Sequence, residues 1–260
     1  MKVSVVTPSF NQLPFLRETA ASVLGQTPIS FSPREKAGMR AADARSSAPT
    51  VDLEWIVVDG GSTDDTVARA APLATFVIAS PRGRAIQMNA GATIAGADIF
   101  LFLHADTRLP PDADRLVLDG LAQSRRGWGR FDVTIEGRHP LLPLVAASMN
   151  LRSRLTGITT GDQAMFMRRE AFAAAGGFPE IALMEDITFA RSLKRVSPPL
   201  NLRARVTTSG RRWERRGVVR TIMLMWRLRL AYFFGAKPED LARRYGYAPI
   251  PRPQGEGPRA

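Results

Sequence analysis

Three short clusters of side chains could do chemistry. His104-Ala105-Asp106 follows an apolar run at 99–103 and offers two metal-ligating groups two residues apart. If the strand continues through them, alternation points both to one side. A carboxylate there suits Mg²⁺ or Mn²⁺ shared with a diphosphate, because Mg²⁺ usually takes only one or two protein carboxylates. The plainer reading is a strand-end Asp capping the next turn. Asp59-Gly60-Gly61-Ser62-Thr63-Asp64 places a carboxylate at the end of another apolar run, then a glycine turn, then a helix start capped by Ser62 or Thr63. Asp59 can accept hydrogen bonds from a base or ribose, and the helix start offers N–H groups to an anion. An ordinary strand–turn–helix corner has the same sequence. No Gly-Lys-Ser/Thr follows, so this is not a P-loop. Glu185-Asp186 sets adjacent carboxylates at the head of a predicted helix over 183–195. Neighbouring carboxylates raise one pKa, which suits a general base, although acidic residues are favoured in any first helical turn.

A fourth segment, Arg211-Arg212-Trp213-Glu214-Arg215-Arg216, could grip a diphosphate, nucleic acid or an anionic lipid. No helix-turn-helix, zinc-finger or RNP pattern accompanies it, so nucleic acid is not expected as a partner.

The elements that must position these groups are legible mainly in the first half. Apolar runs at 3–6, 53–58, 76–79 and 99–103 read as strands, and apolar spacing predicts helices over 13–24 and 85–95. Strands apolar on both faces that alternate with helices imply an α/β fold, with a mostly parallel sheet covered on both sides. Ligands of such sheets bind at the carboxyl ends of the strands. Thr7-Pro8-Ser9, Asp59 to Ser62 and His104 to Asp106 all fall at those ends, so one crevice should collect them. The second half is less regular, with strands expected at 128–135 and 161–168 and helices at 140–155, 183–195 and 218–234. Residues 28–52 hold Pro28, Pro33, Pro49 and Gly38 and read as a flexible insertion. The Pro/Gly-rich residues 245–260 read as a disordered tail. One domain over 1–244 follows, with halves of about 1–127 and 128–244.

The 260 residues are 45% hydrophobic and 23% charged, as in a folded domain with one sizeable core. The absence of cysteine excludes a disulfide framework, a thiolate zinc site and a cysteine nucleophile. With only two histidines, a histidine metal cluster is nearly excluded as well. The net charge of +12 sits in the second half: 14 basic against 13 acidic side chains up to residue 130, then 22 against 11. That asymmetry points to an anionic partner or to a solvated basic surface. No targeting segment or run of ~18 apolar residues is visible, so a cytoplasmic location is expected, with contact to the inner face of the membrane left open. In the 218–234 helix, Arg216, Arg220 and Arg227 fall on one stripe and Ile222, Met225, Trp226 and Phe233 spread over the other side. Such a helix either lies in a membrane interface or packs its apolar side on the core.

Taken in order, these motifs resemble family 2 glycosyltransferases with the GT-A fold. The resemblance rests on Val5-Val6-Thr7-Pro8-Ser9-Phe10-Asn11, Asp59 to Asp64, Arg84 through Asn89-Ala90-Gly91, His104 to Asp106, Gly161-Asp162-Gln163 and Glu185-Asp186. It is nearest to a bacterial subgroup of small members with a Leu-His-Ala-Asp-Thr motif and an Arg-Trp-Glu-Arg segment. The resemblance implies inverting transfer of one sugar from a nucleotide-diphospho-sugar, foremost a UDP-sugar, to a small or lipid-like acceptor of carotenoid or polyprenyl type. Thr7, Pro8, Asn11, Asp59, Ser62, Arg84 and Asn89 would hold the nucleotide-sugar. Asp106, with His104, would hold Mg²⁺ or Mn²⁺ and the diphosphate. Asp186, beside Glu185, would be the general base, and Gly161, Asp162 and Gln163 would line the acceptor side. Arg212, Trp213 and Arg216 would meet the diphosphate or a membrane.

Two departures stand out. His104 occupies the first position of the family's Asp-x-Asp metal motif. Ser209 stands where processive members carry Gln, before Gly210-Arg211-Arg212-Trp213, which argues for single-sugar transfer. A catalytically silent GT-A domain docking on anionic membranes is the alternative, but it would have no reason to keep both Asp106 and Asp186. A sugar nucleotidyltransferase would want a basic glycine-rich loop after the first strand, and Pro8 to Asn11 does not supply one.

Overall fold

Val3, Val5 and Val6 are buried, so the strand that carries them, β1 (Lys2–Ser9), needs cover on both faces. It obtains this at the middle of a sheet. β2 (Asp52–Asp59) pairs parallel on one side and β4 (Ile99–Phe102) parallel on the other, while β3 (Phe76–Ala79) continues the parallel set beyond β2. Past β4 the pairing becomes mixed. β7 (Met165–Arg168) runs antiparallel to both β4 and β6 (Trp128–Glu136). β8 (Leu200–Ser209) is parallel to β6, and the short β5 (Thr107–Arg108) closes the order β3-β2-β1-β4-β7-β6-β8-β5. The structure, a computed structural model, describes residues 2–26 and 52–247. The insertion expected at 28–52, apart from Asp52, and the tail after 247 lie outside the described residues.

Alternation along the strands divides the core. Val3, Val5, Trp55, Val57, Ile99 and Leu101 face α1 (Leu13–Leu24) and α4 (Ala113–Ser124). Val6, Ile56, Val58, Phe100 and Phe102 face α3 (Arg84–Ile94), α6 (Arg169–Ala174) and α7 (Glu185–Val196). Each fully buried aliphatic or Phe side chain is worth ~1.5–3 kcal/mol, so the two-faced sheet is where stability concentrates. A short helix, α2 (Thr66–Ala70), follows the Asp59 turn. The remaining helices, α5 (Leu142–Thr156), α8 (Arg211–Arg216), α9 (Val218–Phe233) and α10 (Pro238–Tyr245), form two smaller clusters beside the sheet.

Several expected boundaries move. The helix after the glycine turn starts at Thr66, not beside Ser62 or Thr63, because Asp64 accepts the Thr66 N–H at 3.1 Å. The strand expected over 161–168 is a 3-10 turn at Gly161–Gln163 followed by β7, with Ala164 between them at φ +45°. The ordered chain also runs past 244: Tyr245 ends α10 and is buried, and Tyr247 packs on its ring at 4.9 Å. Residue 245 therefore belongs to the domain. β5, α4, α6, β8 and α10 carry no expectation from the sequence.

The α3 helix lies so close on the sheet that Gly91 has no room for a side chain. A Cβ there would stand 2.4 Å from Val6 Cγ1 and 3.0 Å from Val58 Cγ2. Gly91→Ala should cost ~1–3 kcal/mol by overpacking, read as a lowered urea midpoint at unchanged slope. Adding Val6→Ala should recover part of the loss; a double variant no better than the sum of the singles would refute the close-approach account.

Candidate active site

The carboxyl ends of β1 and β4 open into a cleft of about 1670 Å³, whereas the turn after β2, expected to join them, contributes no lining residue. Sites for one small ligand run ~300–1,000 Å³, so this one has room for two substrates together. Pro8, Arg84, His104, Asp106, Gly161, Asp162, Glu185, Asp186, Arg212 and Trp213 all line it. Chain segments 80 residues apart thus meet, as the strand-end argument requires.

Asp186 stands in the first turn of α7. Its Oδ2 accepts the Gly161 N–H at 3.0 Å and its Oδ1 accepts the Ile187 N–H at 2.7 Å. These two backbone bonds fix the carboxylate and tie the helix start to the 3-10 turn that carries Asp162. The preceding residue, Met184, is held at φ +71°, a left-handed conformation that costs a non-glycine residue ~1–2 kcal/mol. Glu185 has a different fate from its neighbour. It is buried, and its Oε1 accepts from Arg84 Nε at 2.7 Å. Burial pushes its carboxyl above the ordinary range, against the pull of Arg84. Glu185 therefore anchors Arg84 and is not poised as a base, and Arg84 reaches the cleft already paired.

His104 and Asp106 do not share a side by strand alternation. β4 ends at Phe102, and the Thr107 N–H closes a turn onto the His104 carbonyl at 3.0 Å. His104 Nδ1 lies 3.3 Å from Asp162 Oδ1, so the histidine is engaged with Asp162 through that nitrogen. Gly161 makes this contact feasible, since a Cβ there would sit 2.3 Å from the imidazole. Asp106 has its carboxyl raised by burial and by Asp162, opposed by His104 and Arg212. A buried carboxylate with a raised pKa is the kind of group a hard cation relieves. Among the described residues no three His, Cys, Asp or Glu side chains cluster to hold a metal by themselves. One carboxylate plus substrate oxygens is the arrangement Mg²⁺ favours, so Asp106 fits a metal shared with a diphosphate.

Several expected site residues do other work. Thr7 is fully buried and its hydroxyl accepts from Trp55 Nε1 at 3.0 Å. Asp59 turns back on its own loop, accepting from the N–H groups of Gly61 at 2.9 Å and Ser62 at 2.8 Å and from the Ser62 hydroxyl. Asn11 clips Thr63, and Asn89 clips the Phe178 backbone through both amide atoms. Gln163 is buried on Ser153 and Asn150 at the base of the acceptor side. Arg216 donates to the Tyr245 carbonyl at 2.7 Å, stapling α10. None of these lines the cleft. Each of these polar side chains is engaged with a neighbouring backbone or side-chain group. Conversely, Arg152 and Arg229 line the cleft and carried no sequence expectation, and Tyr245 and Tyr247 lie on Arg212 with their rings. In α9 the core takes Val218, Thr221 and Leu228. Of the side chains on its apolar side, Trp226 and Phe233 are exposed, whereas Ile222 and Met225 pack partly inward, so the face divides between the two readings.

A parallel β-α sheet with a crevice at its switch point, continued by a mixed and less regular second half, is the GT-A architecture of nucleotide-sugar glycosyltransferases. The glycosyl transferase family 2 model matches residues 4–175, and the chain belongs to that family of glycosyltransferase enzymes. Among solved structures, it is similar to TarS 1-349 of S. aureus in complex with UDP-GlcNAc: 19% identity, TM-score 0.58, covering 80% of this chain and 58% of that one. It is also similar to the mannosyltransferase PcManGT from Pyrobaculum calidifontis in complex with GDP-Man and Mn²⁺. That match has 24% identity and TM-score 0.57, and covers 95% of this chain and 65% of the other. The chain thus spans less than two thirds of either protein. No curated protein matches it.

The His104–Asp162 pair makes a pH prediction. Burial lowers His104, but Asp162 outweighs it, and the folded-state pKa rises above the ordinary 6.5; Arg84 and Asp106 also face the ring. Stability from the charged pair is therefore complete below pH 6.5 and is lost as pH climbs through the folded value. Asp162, despite burial, is held below its ordinary 3.8 by His104, so the contribution also fades in strong acid. The melting temperature of the protein should fall between pH 6.5 and 8.5 more steeply than that of His104→Gln. Parallel curves would rule the pair out as a source of stability.

Proposed function

We propose that the protein transfers a single sugar, with inversion, from a nucleotide-diphospho-sugar, a UDP-sugar first among donors, to a hydroxyl of a lipid-like acceptor. The observation that carries this reading is the meeting of Asp106 and Asp186 in one cleft large enough for donor and acceptor. Asp186 accepts the proton of the acceptor hydroxyl as that oxygen forms its bond to the anomeric carbon. The bond from that carbon to the diphosphate breaks on the opposite side, and the nucleoside diphosphate leaves with the electron pair. Two backbone N–H bonds hold the carboxylate in place for this step. Asp106 would hold Mg²⁺ or Mn²⁺, which would supply positive charge to the leaving diphosphate. Arg212, whose charge reaches Asp106, adds a fixed cation on the same side. The mannosyltransferase bound to Mn²⁺ supports metal use, and the relatives bound to UDP-GlcNAc and GDP-Man support the donor class.

A lipid-like acceptor at a membrane surface is favoured by α9. Val219, Met223, Trp226, Leu230 and Phe233 recur every three or four residues and are all exposed, Trp226 at 73% and Phe233 at 70%. Five large apolar side chains in one exposed stripe exceed the scattered apolar surface of ordinary proteins. Arg220 and Arg227 flank it, also exposed. No helix among the described residues is long and apolar enough to cross a membrane, so the contact would be peripheral.

Asp186→Asn should lower turnover ~10²–10⁴-fold, the usual cost of losing a general base, while nucleotide affinity stays near normal. Asp106→Ala should weaken calorimetric binding of UDP with Mn²⁺ by at least ~10-fold. Near-normal turnover in the first, or unchanged affinity in the second, would remove that residue from its role. For the membrane, Arg220→Gln with Arg227→Gln should cost ~2 kcal/mol of binding to anionic vesicles at low salt, about 30-fold. Arg216 is left intact because it staples α10. Absent sedimentation of the unaltered protein with such vesicles would overturn the peripheral reading.

A further inference from the structure

Arg152 of α5 and Arg229 of α9 line the cleft from opposite helices, and neither is needed by the transfer chemistry above. Arg152 Nε and Nη2 and Arg229 Nε are buried without a hydrogen-bond partner. No carboxylate stands within ion-pair distance of either guanidinium among the described residues. Each raises the cost of burying the other, and burial with the Arg229 charge brings Arg152 down to about 10. Unpaired buried cations are expensive, and two together more so. A folded chain keeps such a pair economically only if a ligand supplies the missing negative charge.

The location says which ligand. The acidic groups that act on this pair are Asp186 and Asp162, with Tyr245 also acting on Arg229. The arginines therefore sit on the side of the cleft where Asp186 stands. From them the cleft wall runs outward along Leu144 of α5 and Trp226, Leu230 and Phe233 of α9, an apolar track open to solvent. An apolar track with an unpaired cationic end matches an amphiphile with an anionic end in both shape and charge.

We infer that the acceptor carries an oxyanion of its own, a phosphate or carboxylate separate from the reacting hydroxyl, which Arg152 and Arg229 clamp beside Asp186 while its apolar part lies between α5 and α9. The inference deepens the glycosyltransferase reading and rests on Asp186 marking the acceptor side.

The test is calorimetric titration of the unaltered protein, and of a variant with both Arg152→Gln and Arg229→Gln, with octyl phosphate, octanoate, inorganic phosphate and an uncharged octyl glycoside. The unaltered protein should bind octyl phosphate or octanoate at least tenfold more tightly than the uncharged compound. The variant should lose that preference and keep its affinity for the uncharged compound. Which of the two anions binds more tightly identifies the oxyanion. Equal affinity for charged and uncharged chains, or a preference that survives in the variant, overturns the inference. So does inorganic phosphate binding as tightly as octyl phosphate, since the track then contributes nothing. The melting temperature of the variant should equal or exceed that of the unaltered protein, because an unpaired buried charge has been removed; a variant that melts lower places the arginines in the structure and refutes the inference. A parallel titration with UDP and Mn²⁺ separates the two readings. UDP affinity lost only in the variant puts the arginines at the donor site and leaves the glycosyltransferase reading standing. UDP affinity absent from the unaltered protein removes that reading, while the preference for an anionic amphiphile is judged on its own titrations.

Discussion

Parallel pairing of β1 with β2 on one side and β4 on the other is the constraint from which the rest follows. A strand flanked by two parallel neighbours has to send its chain out in two directions, and the crevice between the outgoing connections cannot be filled by either. Two strand ends, at Ser9 and just past Phe102, open onto the same cleft. Turn chemistry then divides the polar residues there into two groups. Asp59 satisfies the backbone of its own loop, and Asn11 and Ser62 accept from the backbone across the two loops, which ties them together. Asp106, Arg84 and Pro8 face the opening.

The second constraint is electrostatic. The cleft holds acidic and basic side chains at low exposure, and such charges persist only when paired or when a ligand completes them. Glu185 with Arg84 and His104 with Asp162 are internal solutions. Asp186 is held by two backbone N–H groups at the cleft wall, with no cationic side chain bonded to it. Asp106 and the Arg152–Arg229 pair are left with unbalanced charge of opposite sign at two places in one cavity. That layout suits the proposed transfer, in which the donor's diphosphate would meet Asp106 and an anionic group of the acceptor would meet Arg152 and Arg229.

The apolar surface is organised by the same helices. α9 spends Val218, Thr221 and Leu228 on the core and turns Val219, Met223, Trp226, Leu230 and Phe233 outward. Its register thereby joins the cleft to an exposed apolar stripe, so packing, substrate access and surface contact are properties of one element.

The sequence by itself determined the sheet-forming half. β1, β2 and β4 are apolar on both faces, and burial of such runs has few solutions. Their existence and the approach of Pro8 to Asp106 could therefore be read from spacing alone, although β1 runs on through Ser9, and Asp59 turns away from the cleft. The family was legible for the same reason, because its motifs lie at those strand ends. β8 had a faint signal in the alternation of Leu200, Leu202, Ala204 and Val206, obscured by Arg203 and Arg205; α10 had one in Pro238 with Leu241, Ala242 and Tyr245. What only the tertiary structure decided is which way each polar side chain spends its hydrogen bonds. Thr7 on Trp55, Asn89 on Phe178, Gln163 on Ser153 and Glu185 on Arg84 are all contacts between residues far apart in the chain or across a turn. Arg152 and Arg229 are 77 positions apart and look like ordinary solvated arginines until α5 and α9 are packed together. Local sequence sets propensity and periodicity, whereas the pairing of buried charge depends on which elements meet, and that is a property of the fold.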